Sequence, residues 1–168
     1  MYEDKFSEWI LWGNRNKLND LQYPGVYAIA HSEVSLAGNI FSWVDEIIYI
    51  GMTNSISGLK GRLKQFDNTI IGKTGHGGAD RVRYKYRDYD KFIEKLYVSV
   101  SPFECDVKSH RPSDLRIMGD VAKFEYLCSA HYVDIFGMFP EFNDKKRSPK
   151  YSNEMRKQKN KKDNQLLQ

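Results

Sequence analysis

Two short segments set tyrosines beside glycines. Gly25-Val26-Tyr27 follows the turn Tyr23-Pro24, and Tyr49-Ile50-Gly51 ends an apolar run. On neighbouring strands, Tyr27 and Tyr49 could aim their hydroxyls at one point, with Gly25 and Gly51 leaving room for close backbone approach. A phenol with a pKa of about 10 is a poor base at neutral pH unless cations favour the phenolate. Plain packing in a sheet is the commoner fate of such rings. Arg62 falls three residues after Leu59 and four before Phe66, so on a helix it borders the apolar face. Its planar fork of donors suits a phosphate; otherwise its stem covers core while its head reaches water. Glu125 has Val121, Ala122 and Cys128 as same-face neighbours. A carboxylate there requires either a charged partner, Arg62 being the candidate, or a bound metal. Asn143 follows Pro140 and suits a turn.

The elements that must carry these residues can be read from periodicity. Residues 3 to 12 place Phe6, Trp9 and Ile10 at helical spacing and predict a short N-terminal helix. Gly25 to Ala30 reads as a strand, and Glu46 to Gly51 as a second, centrally covered one. Between them, residues 31 to 45 read as an inserted loop with some strand near Ile40 to Val44. Asn54 or Ser57 caps a helix with Leu59, Leu63 and Phe66 on one face. After the glycine-rich stretch Gly72 to Gly78, residues 88 to 95 look helical and Leu96 to Ser101 alternates as a third strand. Ser113 or Asp114 caps a long helix ending near Phe136, with Gly137 as its stop. The expected fold is α+β: a small, mainly antiparallel three-stranded sheet flanked by helices.

Composition bounds the rest. A chain of 168 residues, 40% hydrophobic and 14% aromatic, suits one globular domain with a core of its own. No apolar run approaches the length of a membrane span, and the acidic N-terminus is unlike a signal peptide. Two cysteines, Cys105 and Cys128, make no disulfide framework, so a reducing, cytoplasmic location is expected. With His110 and His131 they fit no common zinc spacing. Residues 144 to 168 hold nine Lys/Arg against three Asp/Glu, so the rest of this +4 chain is net negative. That basic tail, without apolar periodicity, is expected to be flexible beyond a domain of residues 1 to 143. A second basic stretch, Lys60 to Lys95, holds ten Lys/Arg against five Asp/Glu. Such zones suit a polyanion through counterion release, although basic tails also serve solubility alone.

The ordered series Gly25-Val26-Tyr27, Tyr49-Ile50-Gly51, Arg62, Glu125 and Asn143 resembles the GIY-YIG nuclease pattern, from about Tyr23 to Asn143. The resemblance implies a divalent-metal-dependent DNA endonuclease. Glu125 would be the single protein carboxylate on Mg²⁺ or Mn²⁺, and Arg62 would grip the scissile phosphate. One tyrosine would activate water; Tyr27 is preferred as the base and Tyr49 as the positioning group, and the two could exchange. Asn143 would brace the site. The alternative is an inactive DNA- or RNA-binding module on the same scaffold. Either could be monomeric or a homodimer.

Two departures stand out. The tyrosines are separated by 21 residues, wider than a minimal hairpin, which resembles restriction-type more than repair-type relatives; a stand-alone restriction-like or phage- or mobile-element-associated nuclease is the expected role. Lys64 stands where many relatives carry a histidine, so Lys64 could replace that residue, or the role could fall to Lys73 or His76. Gly72 to Gly78 contains Gly-Lys-Thr, but Asp67 replaces the first glycine of a phosphate-binding loop. A flexible nucleic-acid contact loop is expected instead, with Arg81, Arg83, Lys85 and Arg87 beyond it, interleaved with tyrosines.

Overall fold

The computed structural model describes residues 3 to 73 and 75 to 166, with side chains through residue 158. Thr74, inside the glycine-rich stretch, and the side chains of Lys159, Lys161 and Lys162 lie outside the described residues. Four strands form one antiparallel sheet: β1 (Ile10–Leu11), β2 (Gly25–His31), β3 (Ile47–Thr53) and β4 (Leu96–Pro102), in the order β1-β4-β2-β3. The helices are α1 (Gly58–Ile71), α2 (Gly77–Lys85), α3 (Tyr89–Ile93), α4 (Pro112–Phe136) and α5 (Tyr151–Leu166). The α+β class is as expected, and the sheet has one strand more.

That extra strand replaces the expected N-terminal helix. Glu3–Lys5 is a single 3-10 turn, Ile10 and Leu11 pair with Val98 and Tyr97 of β4, and Trp12–Lys17 is another 3-10 segment. Local spacing suggested a helix, but Phe6 and Trp9 go to one face of the sheet while Trp12 goes to the other. Within the strand, Ile10 packs on the Trp12 side and Leu11 on the Phe6 and Trp9 side, the two-residue alternation of a strand. The insertion also differs: residues 32 to 46 contain no strand among the described residues. Phe41 instead stacks on Phe6 at 4.1 Å and on Trp9 at 5.1 Å, closing one face of the sheet.

The sheet divides the core in two. Tyr27 and Ile29 of β2 face a layer of Leu59, Leu63 and Phe66 from α1, with Val82 of α2 and Phe92 of α3. Val26, Ala28 and Ala30 face Val121, Phe124 and Cys128 of α4. Each apolar stripe thus has a covered partner, at roughly 25 cal/mol per Å² of apolar area removed from water. The long helix starts at Pro112, a preferred first helical position, after Arg111. Asp114, offered as its cap, instead accepts from the backbone N–H of Asp106 at 3.2 Å and from Arg111 Nε at 2.8 Å. Gly137 ends it with φ of 74°, as expected. Ser57 precedes α1, without a side-chain capping bond.

Two stretches read as irregular are helical. Gly77–Lys85 forms α2, capped by His76, whose side chain accepts from Ala79 N. In the tail, α5 begins at Tyr151, and Ser152 Oγ donates to Asp80 Oδ2 of α2 at 2.6 Å. The tail's polarity hid its helix because docking on α2, rather than an apolar stripe, holds the first turn. Among the described residues, no helix is long and apolar enough to cross a membrane.

Candidate active site

β3 is an edge strand, and its outward backbone groups need partners. Two residues from the C-terminal half, Phe142 and Asn143, supply them in a row. Phe142 N donates to Ile48 O at 3.0 Å. At the next outward residue, Asn143 Oδ1 accepts from Ile50 N at 2.8 Å and Asn143 Nδ2 donates to Ile50 O at 2.7 Å. The amide of Asn143 thereby imitates a pairing strand. Beyond it, Glu125 of α4 lies beside the backbone N–H of Met52, which favours its charged form, and shares a groove with Asn143. Asn143 and Glu125, far apart in sequence, are neighbours because one strand edge gathers both.

Behind that edge lies an aromatic cluster. Tyr27 pairs across the sheet with Gly51, and its ring centroid is 6.0 Å from that of Tyr49. Tyr27 Oη lies 2.8 Å from His76 Nε2, and the His76 ring sits edge-on to Tyr49 at 5.5 Å. The packing leaves no space for larger residues at two glycines. A Cβ on Gly51 would meet Tyr27 Oη and Tyr49 Cε1 at 2.6 Å, and one on Gly78 would meet Tyr49 Cε2 at 2.4 Å. Gly51 therefore serves the close approach suggested by its sequence position. Gly25 serves another, its Cβ position lying 2.3 Å from Ser101 O of β4.

Tyr27 is fully buried, whereas Tyr49 is half-buried and lines a cleft of about 340 Å³. Arg62 shares that cleft with Arg81, Asn143, Lys145 and Lys150. Its Nη1 donates to Gln65 Oε1 at 2.7 Å, while its Nε is buried without a hydrogen-bond partner among the described residues. A guanidinium held this way retains donor capacity for an incoming anion.

The electrostatics follow from burial and from Arg62. Burial holds the Tyr27 phenol well above its ordinary range; Tyr49 pushes it further, and Arg62 opposes both. Burial likewise raises Tyr49, against the pull of Arg62. For His76, burial and then the Arg62 charge push the imidazole down to about 3, so the ring is neutral. Burial raises Glu125, while Arg62 and the Met52 N–H favour its charged form. The Arg62 charge acts on all four.

The candidates do not all converge. Lys64 and Lys73 are exposed, and neither lines the cleft; of the three residues considered for that role, only His76 reaches the tyrosines. Of the expected nucleic-acid contacts, Arg81 lines the cleft and donates to the carbonyl of Ser148. The other three have contacts within the protein. Arg83 donates to Gly72 O at 2.9 Å and covers the Tyr151 ring, Lys85 pairs with Glu141 at 2.7 Å, and Arg87 lies over Tyr84 and Tyr151. Lys145 and Lys150 were singled out by sequence only as tail charge; docking of the tail brings both to the cleft. Gly78, beneath Tyr49, carried no sequence signal beyond its glycine-rich surroundings.

One half-buried carboxylate beside an open cleft, raised by burial, suits a hard divalent cation that keeps most of its water. Among the described residues no three His, Cys, Asp or Glu side chains come together as a multi-ligand cluster. Cys128 packs in the core as a free thiol. Comparisons with protein-family models, curated proteins and solved structures give no match.

Proposed function

We propose that this chain is a divalent-metal-dependent DNA endonuclease of GIY-YIG type, cutting phosphodiester bonds at the β3 edge. The supporting observation is the gathering of Tyr49, Arg62, Glu125 and Asn143 around one edge strand and its cleft. These residues come from four separate elements, and each offers what phosphodiester hydrolysis uses. Arg62 lines the cleft, fixed by Gln65, and offers the phosphate its guanidinium charge, where developing charge is stabilised by fixed donors. Glu125 would hold Mg²⁺ or Mn²⁺, which when bound supplies positive charge beside the leaving oxygen. Asn143 keeps Ile50, and so the end of β3, in place for Tyr49 and Gly51.

The accessibility of the tyrosines favours exchanging the roles first expected. Tyr49 lines the cleft and can meet a water or a phosphate oxygen; Tyr27 is enclosed behind it on His76. Tyr49 is therefore assigned to the attacking water, with Arg62 offsetting part of the burial that raises its phenol, and Tyr27 to positioning.

The experiment is plasmid nicking by the purified chain with Mg²⁺ or Mn²⁺, and EDTA as control. Metal-dependent nicking lost in Arg62→Ala and Glu125→Gln supports the assignment. Retention of DNA without cleavage under every metal condition would favour an inactive binding module.

A further inference from the structure

A second groove of about 850 Å³ adjoins the cleft, and Asn143 and Lys145 line both. Its walls include Glu125 and Tyr126 of α4, Phe139, and the tail residues Lys145 and Lys146. Tyr126 is 76% exposed and Phe139 50% exposed, which is unusual for aromatic side chains in a protein with two filled cores. No ring contact with another aromatic is formed by either among the described residues. On the other side of Asn143, the cleft carries Arg62, Arg81 and Lys150. The two halves differ in character: one has cations and no exposed large apolar ring, the other two open rings with Lys145 and Lys146 set against Glu125 and Asp144.

We infer that a nucleic-acid strand crosses both grooves, with phosphates on the Arg81 and Lys150 side and an unpaired base against Tyr126 and Phe139. The substrate class is thus DNA with an unstacked base beside the cut, such as a flap, mismatch or single-stranded junction. This rests on the nuclease reading for the position of the scissile phosphate between the two halves.

The chemistry favours that occupant over an intact duplex. Paired bases inside a helix hide their faces from a side chain, whereas an unpaired base offers a face to any aromatic ring. Stacking on exposed rings beside lysines is how sequence-tolerant single-strand contacts are made. Taking a base out of the stack costs least where it is already mismatched or single-stranded. Glu125 and Asp144 also line this groove, Asp144 paired with Arg147 at 3.1 Å, so its rings hold the base while the cations of the neighbouring cleft hold the phosphates.

The test is binding of fluorescein-labelled duplexes in EDTA, one fully paired and one carrying a single unpaired 2-aminopurine. Anisotropy gives affinity, and quenching of 2-aminopurine reports stacking. The wild-type chain should prefer the unpaired duplex by about tenfold, with quenching. Tyr126→Ala and Phe139→Ala together should remove the preference and the quenching, with the circular dichroism spectrum unchanged because both rings are exposed. Equal affinity for the two duplexes, or a preference that survives the double substitution, overturns the inference. Because cleavage is absent in EDTA, the two readings fail separately. Metal-dependent nicking without this preference sinks the inference alone; the preference without nicking sinks only the nuclease assignment.

Discussion

Tyr27 Oη and His76 Nε2 are 2.8 Å apart, and the other nitrogen of that ring, Nδ1, accepts the backbone N–H of Ala79 at 3.1 Å. A neutral imidazole that accepts at Nδ1 must carry its proton on Nε2. His76 therefore donates to Tyr27, and cannot take a proton from it. The cap of α2 thus decides the direction of a hydrogen bond in the aromatic cluster, and Tyr27 keeps its own O–H for another acceptor.

His76 should make stability pH-dependent. Its folded pKa, about 3, lies below the ordinary 6.5. Between those values the unfolded chain binds the extra proton, so stability rises with pH across that window and is lost as pH falls below 6.5. From pH 7 to pH 5 this group alone should cost about 2 kcal/mol. Urea unfolding of wild type and His76→Gln at both pH values isolates the contribution of this ring. An equal loss in both proteins would contradict it.

Arg62→Lys should fail to replace Arg62. A lysine keeps the charge but not the planar fork, and its ammonium cannot bond Gln65 and a phosphate in the same geometry. Nicking should fall about 10²- to 10³-fold in Arg62→Ala, with most of that loss kept in Arg62→Lys. Wild-type nicking by the lysine variant would show that charge alone suffices.

Glu125→Gln separates metal binding from folding. Burial disfavours the Glu125 carboxylate, so the neutral amide should leave the melting temperature at pH 7 unchanged or higher. Mg²⁺ should raise the melting temperature of wild type and not of the variant. A variant that still responds to Mg²⁺ would place the ion elsewhere.

Asn143→Ala removes both hydrogen bonds to Ile50 and uncovers the edge of β3. The expected loss is about 1–3 kcal/mol, read by denaturant midpoint, with faster amide exchange at Ile50. Unchanged protection there would mean that another group covers the edge.

Gly78→Ala probes the space under Tyr49. Its Cβ would fall 2.4 Å from Tyr49 Cε2, so the ring must move or α2 must shift. Overpacking of this kind costs about 1–3 kcal/mol, and nicking should fall more than stability explains. The same substitution at Gly119, which has nothing within 4 Å, serves as control and should leave nicking intact.

The chain's local patterns were sufficient for β2, β3, β4, α1 and α4, because each buries a regular stripe against the sheet. They also picked out Tyr27, Tyr49, Arg62, Glu125 and Asn143 as residues whose chemistry a structure must satisfy. Local pattern failed at residues 3 to 12, where pairing with β4, distant in sequence, outweighed helical spacing. It failed again in the tail, where a capping bond to Asp80 rather than apolar periodicity anchors α5. Tertiary structure alone decided that His76, and neither Lys64 nor Lys73, reaches Tyr27, since that contact depends on how α2 docks against α1. It also decided that Tyr49 meets the cleft while Tyr27 is enclosed, and that Lys145 and Lys150 join Arg62. Sequence names the residues that carry charge and hydroxyls; only packing along the β3 edge determines which of them face each other and which face solvent.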